Sequence, residues 1–282
     1  MLKKILIPLD GSDLSETALP CGLALARQHQ CQTILLQVVP HLAELAPGLA
    51  PELVPELQQK ALKRSQNYLE DRSSQFAPLV VSALTRLGSP REEIPAVAAR
   101  HQCDLIVMAS RGREGVEHWL LGSVAEGVLR QAPCPVLLVR AAPCVSRFQN
   151  ILVPTDGSEA SLAVLRALPD YLAEGGRVTL LQSSGLSLML HFAEERLLVS
   201  KHLDEMEARL RQVKQPGLSL EVVVLDGEPV DDILTWSKNN PCDLIAMSSH
   251  GRSGFRRLML GSVSEKVARH AGCDVLIFPP SS

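Results

Sequence analysis

The chain has no run of Lys or Arg longer than two and carries a formal net charge of −3 over 282 residues. A basic footprint for nucleic acid or an anionic membrane is therefore missing. No window approaches the ~18 apolar residues that a membrane span needs. The opening stretch reaches Pro8 and Asp10 before a signal-length apolar segment can form, so a cytoplasmic location is expected. The seven cysteines, at positions 21, 31, 103, 134, 144, 242 and 273, contain no C-x-x-C pair. That spacing disfavours a zinc or redox motif and reads as small buried residues in a reducing compartment. Also missing are G-x-x-x-x-G-K-[ST], G-x-G-x-x-G and G-x-S-x-G, the S-G-G-x-D-S loop of adenylating enzymes, and any H-x-x-x-H metal pair. No general base is named, so the sequence gives no positive sign of an enzyme.

What is present is a duplication. Ile5-Leu-Ile-Pro-Leu-Asp-Gly-Ser12 matches Ile151-Leu-Val-Pro-Thr-Asp-Gly-Ser158, Gly88-Ser-Pro90 matches Gly227-Glu-Pro229, and Cys103-Asp-Leu-Ile-Val-Met108 matches Cys242-Asp-Leu-Ile-Ala-Met247. The offset falls from 146 to 139, placing seven extra residues in the first copy, within the proline-rich segment Pro40 to Pro55. Halves of about 140 residues are each long enough for their own core, and 46% hydrophobic with 21% charged residues is ordinary for a globular chain. The domains are expected at 1–141 and 147–282.

In the first copy the apolar runs Lys4–Leu9, Thr33–Val39, Leu79–Leu84, Leu105–Ala109 and Val136–Val139 read as strands. Helical patterns fall at Leu14–His29, Glu52–Ser74, Arg91–His101 and Val124–Gln131. In the second copy, Val178–Gln182, Leu220–Leu225, Leu244–Met247 and Val275–Phe278 play the strand parts. Nearly continuous apolar strands alternating with helices predict an α/β fold, two tandem doubly wound domains each with a parallel sheet covered on both faces.

Each copy also carries a glycine-punctuated loop after its fourth strand. Ala109-Ser-Arg-Gly112 is followed after nine residues by Gly122-Ser123, and Ser248-Ser-His-Gly251 after nine by Gly261-Ser262. Small residues let backbone N–H groups approach an anion while the next helix points its positive end at it. Ligands of open parallel sheets settle beyond the carboxyl ends of strands where the winding reverses. One crevice then collects Asp10, Met108, Ala109, Gly112, Gly122 and Ser123, with phosphate donors expected from the N–H groups of Gly112, Gly122 and Ser123. A second collects Asp156, Met247, Ser248, Gly251, Gly261 and Ser262. Arg111, Arg113, His250 and Arg252 sit in these loops as phosphate partners or solvated charges. Structural roles compete. Ser123 with Glu126, and Ser262 with Glu265, have the spacing of a capping box, and Asp10 and Asp156, each before Gly-Ser, have that of an Asx turn.

With these motifs the chain resembles the universal stress proteins in their tandem form, over about residues 1–140 and 147–279. The resemblance implies a five-stranded sheet of order 3-2-1-4-5 and an ATP site of the form G-2x-G-9x-G-(S/T) with an upstream Asp. It places Pro8, Asp10 and Val38 on adenine and ribose, Met108 and Ala109 near the sugar, and Gly112, Gly122, Ser123 and Val124 on phosphates that hold Mg2+. In the second copy it points to Pro154, Asp156, Met247, Ser248, Gly251, Gly261, Ser262 and Val263. The family's first motif glycine is Ala109 in one copy and Ser248 in the other, and the valine at Val38 becomes Ser183. The first site is therefore favoured. The resemblance implies a cytoplasmic stress-response protein binding ATP as a regulatory ligand, with at most slow hydrolysis. It also implies an intramolecular pseudo-dimer joined through the last strands, with pairing of two chains left open. A nucleotide-free scaffold is the alternative.

Overall fold

The computed structural model describes residues 2–46, 48, 50–110, 121–140, 148–183, 217–250 and 260–279. The chain divides into two compact units, Met1–Cys144 and Val145–Ser282.

In the first unit the strands are β1 (Lys4–Pro8), β2 (Gln32–Val39), β3 (Val81–Leu87), β4 (Leu105–Ala109) and β5 (Val136–Val139). They lie in the order β3-β2-β1-β4-β5, with every neighbour parallel. β4 is buried at all positions, as a strand covered on both faces must be, and β3 at the edge is mostly half-buried. The helices are α1 (Asp13–Glu16), α2 (Ala18–His29), α3 (Leu42–Leu45), α4 (Val54–Ser74), α5 (Pro90–Arg100) and α6 (Ser123–Gln131). α2 lies on β1 and β4, α4 lies on β2 and β3, and α5 packs with α6. Right-handed crossovers put α5 and α6 on the other face, because the winding direction reverses after β3. Gly22 lets α2 approach so closely that a Cβ there would overlap Ile7 Cδ1.

One helix expected over Leu14–His29 is in fact two. Pro20 has no N–H and its ring meets the carbonyl of Glu16 four residues back, so the helix breaks at Thr17. The short α3 lies in the Pro40–Pro55 segment that the sequence leaves without structure.

The second unit has β6 (Phe148–Thr155), β7 (Leu172–Ser183), β8 (Ser219–Leu225), β9 (Leu244–Ser248) and β10 (Asp274–Phe278). Their order is β8-β7-β6-β9-β10, again parallel throughout. Its helices among the described residues are α7 (Glu159–Ala163), α8 (Pro229–Asn239) and α9 (Ser262–His270). After α7 the chain makes two 3₁₀ turns, Val164–Arg166 and Leu168–Asp170, where the first unit has the body of α2. Pro169 falls where α2 has its interior, so the same steric rule that nicks the first helix ends this one. The freed residues lengthen β7 well beyond the expected Val178–Gln182, with a bulge opposite Phe148/Asn150. The sequence also reads as a long helix after Leu186, a segment that lies outside the described residues.

The repeated Cys-Asp has a structural use. Asp104 Oδ2 accepts the backbone N–H groups of Lys3 at 2.7 Å and Lys4 at 2.8 Å, and Asp243 Oδ2 accepts those of Gln149 and Asn150, both at 2.8 Å. Each carboxylate thus ties the start of its unit's first strand to the fourth. Among the cysteines, Cys31, Cys103, Cys134, Cys242 and Cys273 are free. Cys21 is disulfide-bonded, with a partner outside the described residues, so the reading of all seven as reduced thiols does not hold. No helix among the described residues is long and apolar enough to cross a membrane.

Hydrogen bonds to a charged acceptor contribute about 1.5–3 kcal/mol each. Asp104→Ala, which removes two such bonds, is therefore expected to lower the stability of its unit by at least about 3 kcal/mol in urea unfolding, and Asp104→Asn, which keeps an acceptor, by clearly less. Equal losses from the two would show that acceptance by the carboxylate is not the source.

Candidate functional site

At the carboxyl end of the first sheet, three stretches of chain converge. β1 ends at Pro8, and Leu9 still donates to the Leu36 carbonyl at 2.8 Å. Gly11 then turns the chain at φ 79, a conformation that glycine adopts without strain. Asp10 Oδ1 accepts the Ser12 N–H at 2.9 Å, and the Ser12 hydroxyl caps α1 by accepting the Ser15 N–H at 3.1 Å. The Asx turn is thus real, and Asp10 both shapes it and faces the crevice. Beside β1, β4 ends at Met108 and Ala109. The third stretch is the start of α6, held in place by the Gly122 N–H donating to the Ser110 carbonyl at 2.8 Å.

Between them lies a cleft of about 820 Å³, within the usual range for small-molecule sites. Pro8, Asp10, Val38, Met108, Ala109, Gly122, Ser123 and Val124 all line it. Gly112 and Gly251, with Arg111, Arg113 and Arg252, lie outside the described residues.

The helix start differs from the sequence reading in two ways. First, the caps are Gly122 and Gly261, extended at φ −64, ψ 145 and φ −61, ψ 147. Ser123 and Ser262 are the first helical residues, and no side chain caps either helix. The capping boxes do not form. Glu126 and Glu265 instead pair one turn onward, with Arg130 at 2.9 Å and Arg269 at 3.1 Å. Glycine is required because the chain closes tightly here: a Cβ on Gly261 would stand 2.9 Å from the Ser249 carbonyl oxygen.

Second, the Gly122 N–H is already engaged, so it is not the phosphate donor that the loop pattern suggests. The first intrahelical bond runs from the Glu126 N–H to the Gly122 carbonyl at 2.9 Å. The N–H groups of Ser123, Val124 and Ala125 precede it and have no intrahelical acceptor. Three amides at the positive end of the helix therefore face the cleft. Ala125 joins the set that the sequence names.

The sequence reading also misses the far wall. α4 contributes Arg64, Ser65 and Tyr68, and Pro90 at the start of α5 lines the opposite side. Pro90 belongs to the repeated Gly-x-Pro, a visible signal that was not assigned to the site. The α4 residues carry no such signal, since the pairing of α4 with β2 and β3 is tertiary. Among the described lining residues the charged ones are Asp10 and Arg64. Gln37 also lines the cleft, and its Oε1 is buried with no hydrogen-bond partner. Tyr68 donates to Glu16 Oε1 at 2.7 Å, and Arg72 pairs with the same oxygen at 2.9 Å. This ties the wall of the cleft to α1.

In the second unit the corresponding positions converge in the same way. Pro154 and Thr155 end β6, Asp156 accepts the Ser158 N–H at 3.0 Å, and Met247 and Ser248 end β9. The Gly261 N–H donates to the Ser249 carbonyl at 2.8 Å, and Glu265 closes the first helical bond on Gly261 at 2.8 Å. This leaves the amides of Ser262, Val263 and Ser264 ahead of it. The polar replacements turn inward on the protein. The Ser248 hydroxyl donates to the His250 carbonyl at 2.6 Å, and the Ser183 hydroxyl stands 2.6 Å from both the Gly227 carbonyl and Asp232 Oδ2.

A doubly wound parallel sheet built twice in one chain, with a crevice in the first unit where the winding reverses, defines a tandem α/β protein. The model of the universal stress protein family matches residues 1–140 and again 147–279. The chain belongs to the universal stress protein family. It is similar to a universal stress protein of Methanocaldococcus jannaschii, 36% identical over 146 residues that span 50% of this chain and 83% of that protein. Along nearly its whole length it is similar to one from Mycobacterium tuberculosis, 26% identical over 291 residues, covering 97% of this chain and 95% of that one. The crystal structure of a universal stress protein from Archaeoglobus fulgidus shares the fold, with a TM-score of 0.74 at 21% identity, covering 99% of this chain and 98% of that chain.

Burial, and then the hydrogen bond to Glu16, push the Tyr68 hydroxyl above its ordinary value. A raised folded value means that this contribution to stability is complete below the unfolded tyrosine value of about 10 and declines as pH rises from there. In a Tyr171→Phe background, the phenolate absorbance of Tyr68 should appear only above that value, and Glu16→Gln should move its midpoint down. A midpoint at the ordinary value would remove Tyr68 from the buried network.

Proposed function

We propose that the protein binds an adenine nucleotide, ATP with Mg2+, as a regulatory ligand in the first unit's cleft, and serves in the cytoplasm as a stress-response regulator. The carrying observation is one cleft that joins the Asp10 turn, the Val38 strand end and three unengaged amides at the start of α6. Such a site suits a ligand with a hydroxylated middle and an anionic tail. Asp10 accepts from ribose hydroxyls, Val38 flanks the base, Met108 lies near the sugar, and Ser123, Val124 and Ala125 donate to phosphate, with Arg64 at the rim adding charge. The orphaned Gln37 Oε1 offers an acceptor to a polar ligand edge. Among the described residues no group of three or more His, Cys, Asp or Glu is placed to hold a metal. Mg2+ therefore enters this reading as a counter-ion of the phosphates.

Each phosphate charge gains only about 0.3–1 kcal/mol from an exposed helix terminus, so affinity depends on the whole set of donors. For the second unit we propose a weaker site or a scaffold role, because Ser183 and Ser248 spend their hydroxyls on the protein's own chain.

Bound ligand at a thousand times its Kd raises stability by about 4 kcal/mol. A thermal-melt series with ATP, ADP, AMP and Mg2+ should show a saturable upward shift for at least one of them. Ser123→Asp is the discriminating variant. A carboxylate at the first helical position is neutral or stabilising by about 0.3–1 kcal/mol, yet it repels phosphate. The variant should melt at or above the parent temperature and lose the nucleotide shift, whereas Ser262→Asp should retain most of it. No shift with any nucleotide in the parent protein would favour the scaffold reading for both units, and rapid steady turnover of ATP would favour an enzyme.

A further inference from the structure

Cys242 and Cys273 are 31 positions apart, yet their sulfurs stand 3.7 Å from each other, and both residues are only partly buried. Cys273 immediately precedes β10 and Cys242 lies two residues ahead of the paired part of β9, where Asp274 is in register with Leu244. Extending that register puts Cys273 opposite Asp243 and Cys242 one residue earlier. A strand spacing of ~4.8 Å and an axial offset of ~3.3 Å then give a Cα separation of ~6 Å. This falls in the range of roughly 4.4–6.8 Å that disulfides span.

The first unit holds Cys103 and Cys134 at the matching repeat positions, but these are 7% and 6% exposed. Burial pushes their thiols up to about 11 and about 12, so that pair is sealed from solvent and poor in thiolate. The same two positions are thus buried in one unit and partly buried in the other.

The geometry points to Cys242 and Cys273 as a reversible dithiol–disulfide site that responds to a hydroperoxide. The hydrogen bond with Cys273, together with burial, pushes the Cys242 thiol up. The Cys273 sulfur, as thiolate, attacks the peroxide oxygen and the O–O bond breaks. This leaves a sulfenic acid on Cys273 and, after protonation, an alcohol or water. The Cys242 sulfur then displaces the hydroxyl of the sulfenic acid, its proton leaving with that hydroxyl as water, and the S–S bond forms. Two thiols and one hydroperoxide become one disulfide, one alcohol or water, and one further water. The new bond closes the chain segment 243–272, which contains Ser248, Gly261 and Ser262, so the site couples redox state to the second unit's loop and α9. It stands independently of the nucleotide reading.

The test is one equivalent of hydrogen peroxide on the full chain, followed by alkylation of free thiols and non-reducing peptide mapping. The expected product has lost two hydrogens in mass, joins the peptides of Cys242 and Cys273, leaves Cys103 and Cys134 alkylated, and reverts with dithiothreitol. Oxidised protein should also melt higher than reduced protein, and this shift should vanish in Cys242→Ser and Cys273→Ser, whose reduced melts report on folding. Both thiols still alkylated after peroxide would overturn the proposal. So would two added oxygens on Cys273 without a cross-link, or an equal loss of the Cys103 and Cys134 thiols.

Discussion

The site depends on one backbone hydrogen bond, made twice. In each unit the N–H of the glycine that opens the last helix is donated to the carbonyl of the residue just past the fourth strand, Gly122 to Ser110 and Gly261 to Ser249, both at 2.8 Å. This bond fixes the start of the helix against the end of the strand, and at Gly261 a Cβ would collide with the same carbonyl. Its consequence is an exchange of roles. The glycine amide that a motif reading assigns to a ligand is used to build the site, and the next three amides are left to face the cleft.

Much of this arrangement is legible in the sequence because the relevant signals are local. β4 and β5 run as the apolar periodicity predicts, Leu105–Ala109 and Val136–Val139, and the order of strands follows from the repeat once a family is in view. What is not legible is of two kinds. Proline effects require counting back four residues: Pro20 costs the first helix one residue at Thr17, while Pro169 truncates its counterpart and hands the remainder to β7. Contacts between elements leave no trace at all. Arg64 and Tyr68 reach the cleft only because α4 lies across β2 and β3. Cys242 meets Cys273 only because the parallel pairing of β9 with β10 brings together the residues just ahead of them, a neighbourhood that a search for closely spaced cysteines is blind to.

The two units show how a duplicated scaffold diverges without losing its frame. The carboxylates of Asp104 and Asp243 secure the same strand junction, and the Asp-Gly-Ser turn repeats with Gly11 and Gly157 both at φ 79. The differences sit in side chains that line the crevice. Val38 presents an apolar edge where Ser183 satisfies itself on Gly227 and Asp232. A polar group that has found an internal partner has little to offer a ligand, since rearranging it forfeits a bond already made.

Main-chain amides at the start of α6 also set what substitution can and cannot erase. Any residue but proline supplies the same N–H at positions 123, 124 and 125, so random drift along that turn leaves the anion-facing groups in place, while drift along the α4 wall rewrites shape and selectivity. Chains separated by long divergence can therefore keep the same three main-chain donors and differ freely in the walls around them.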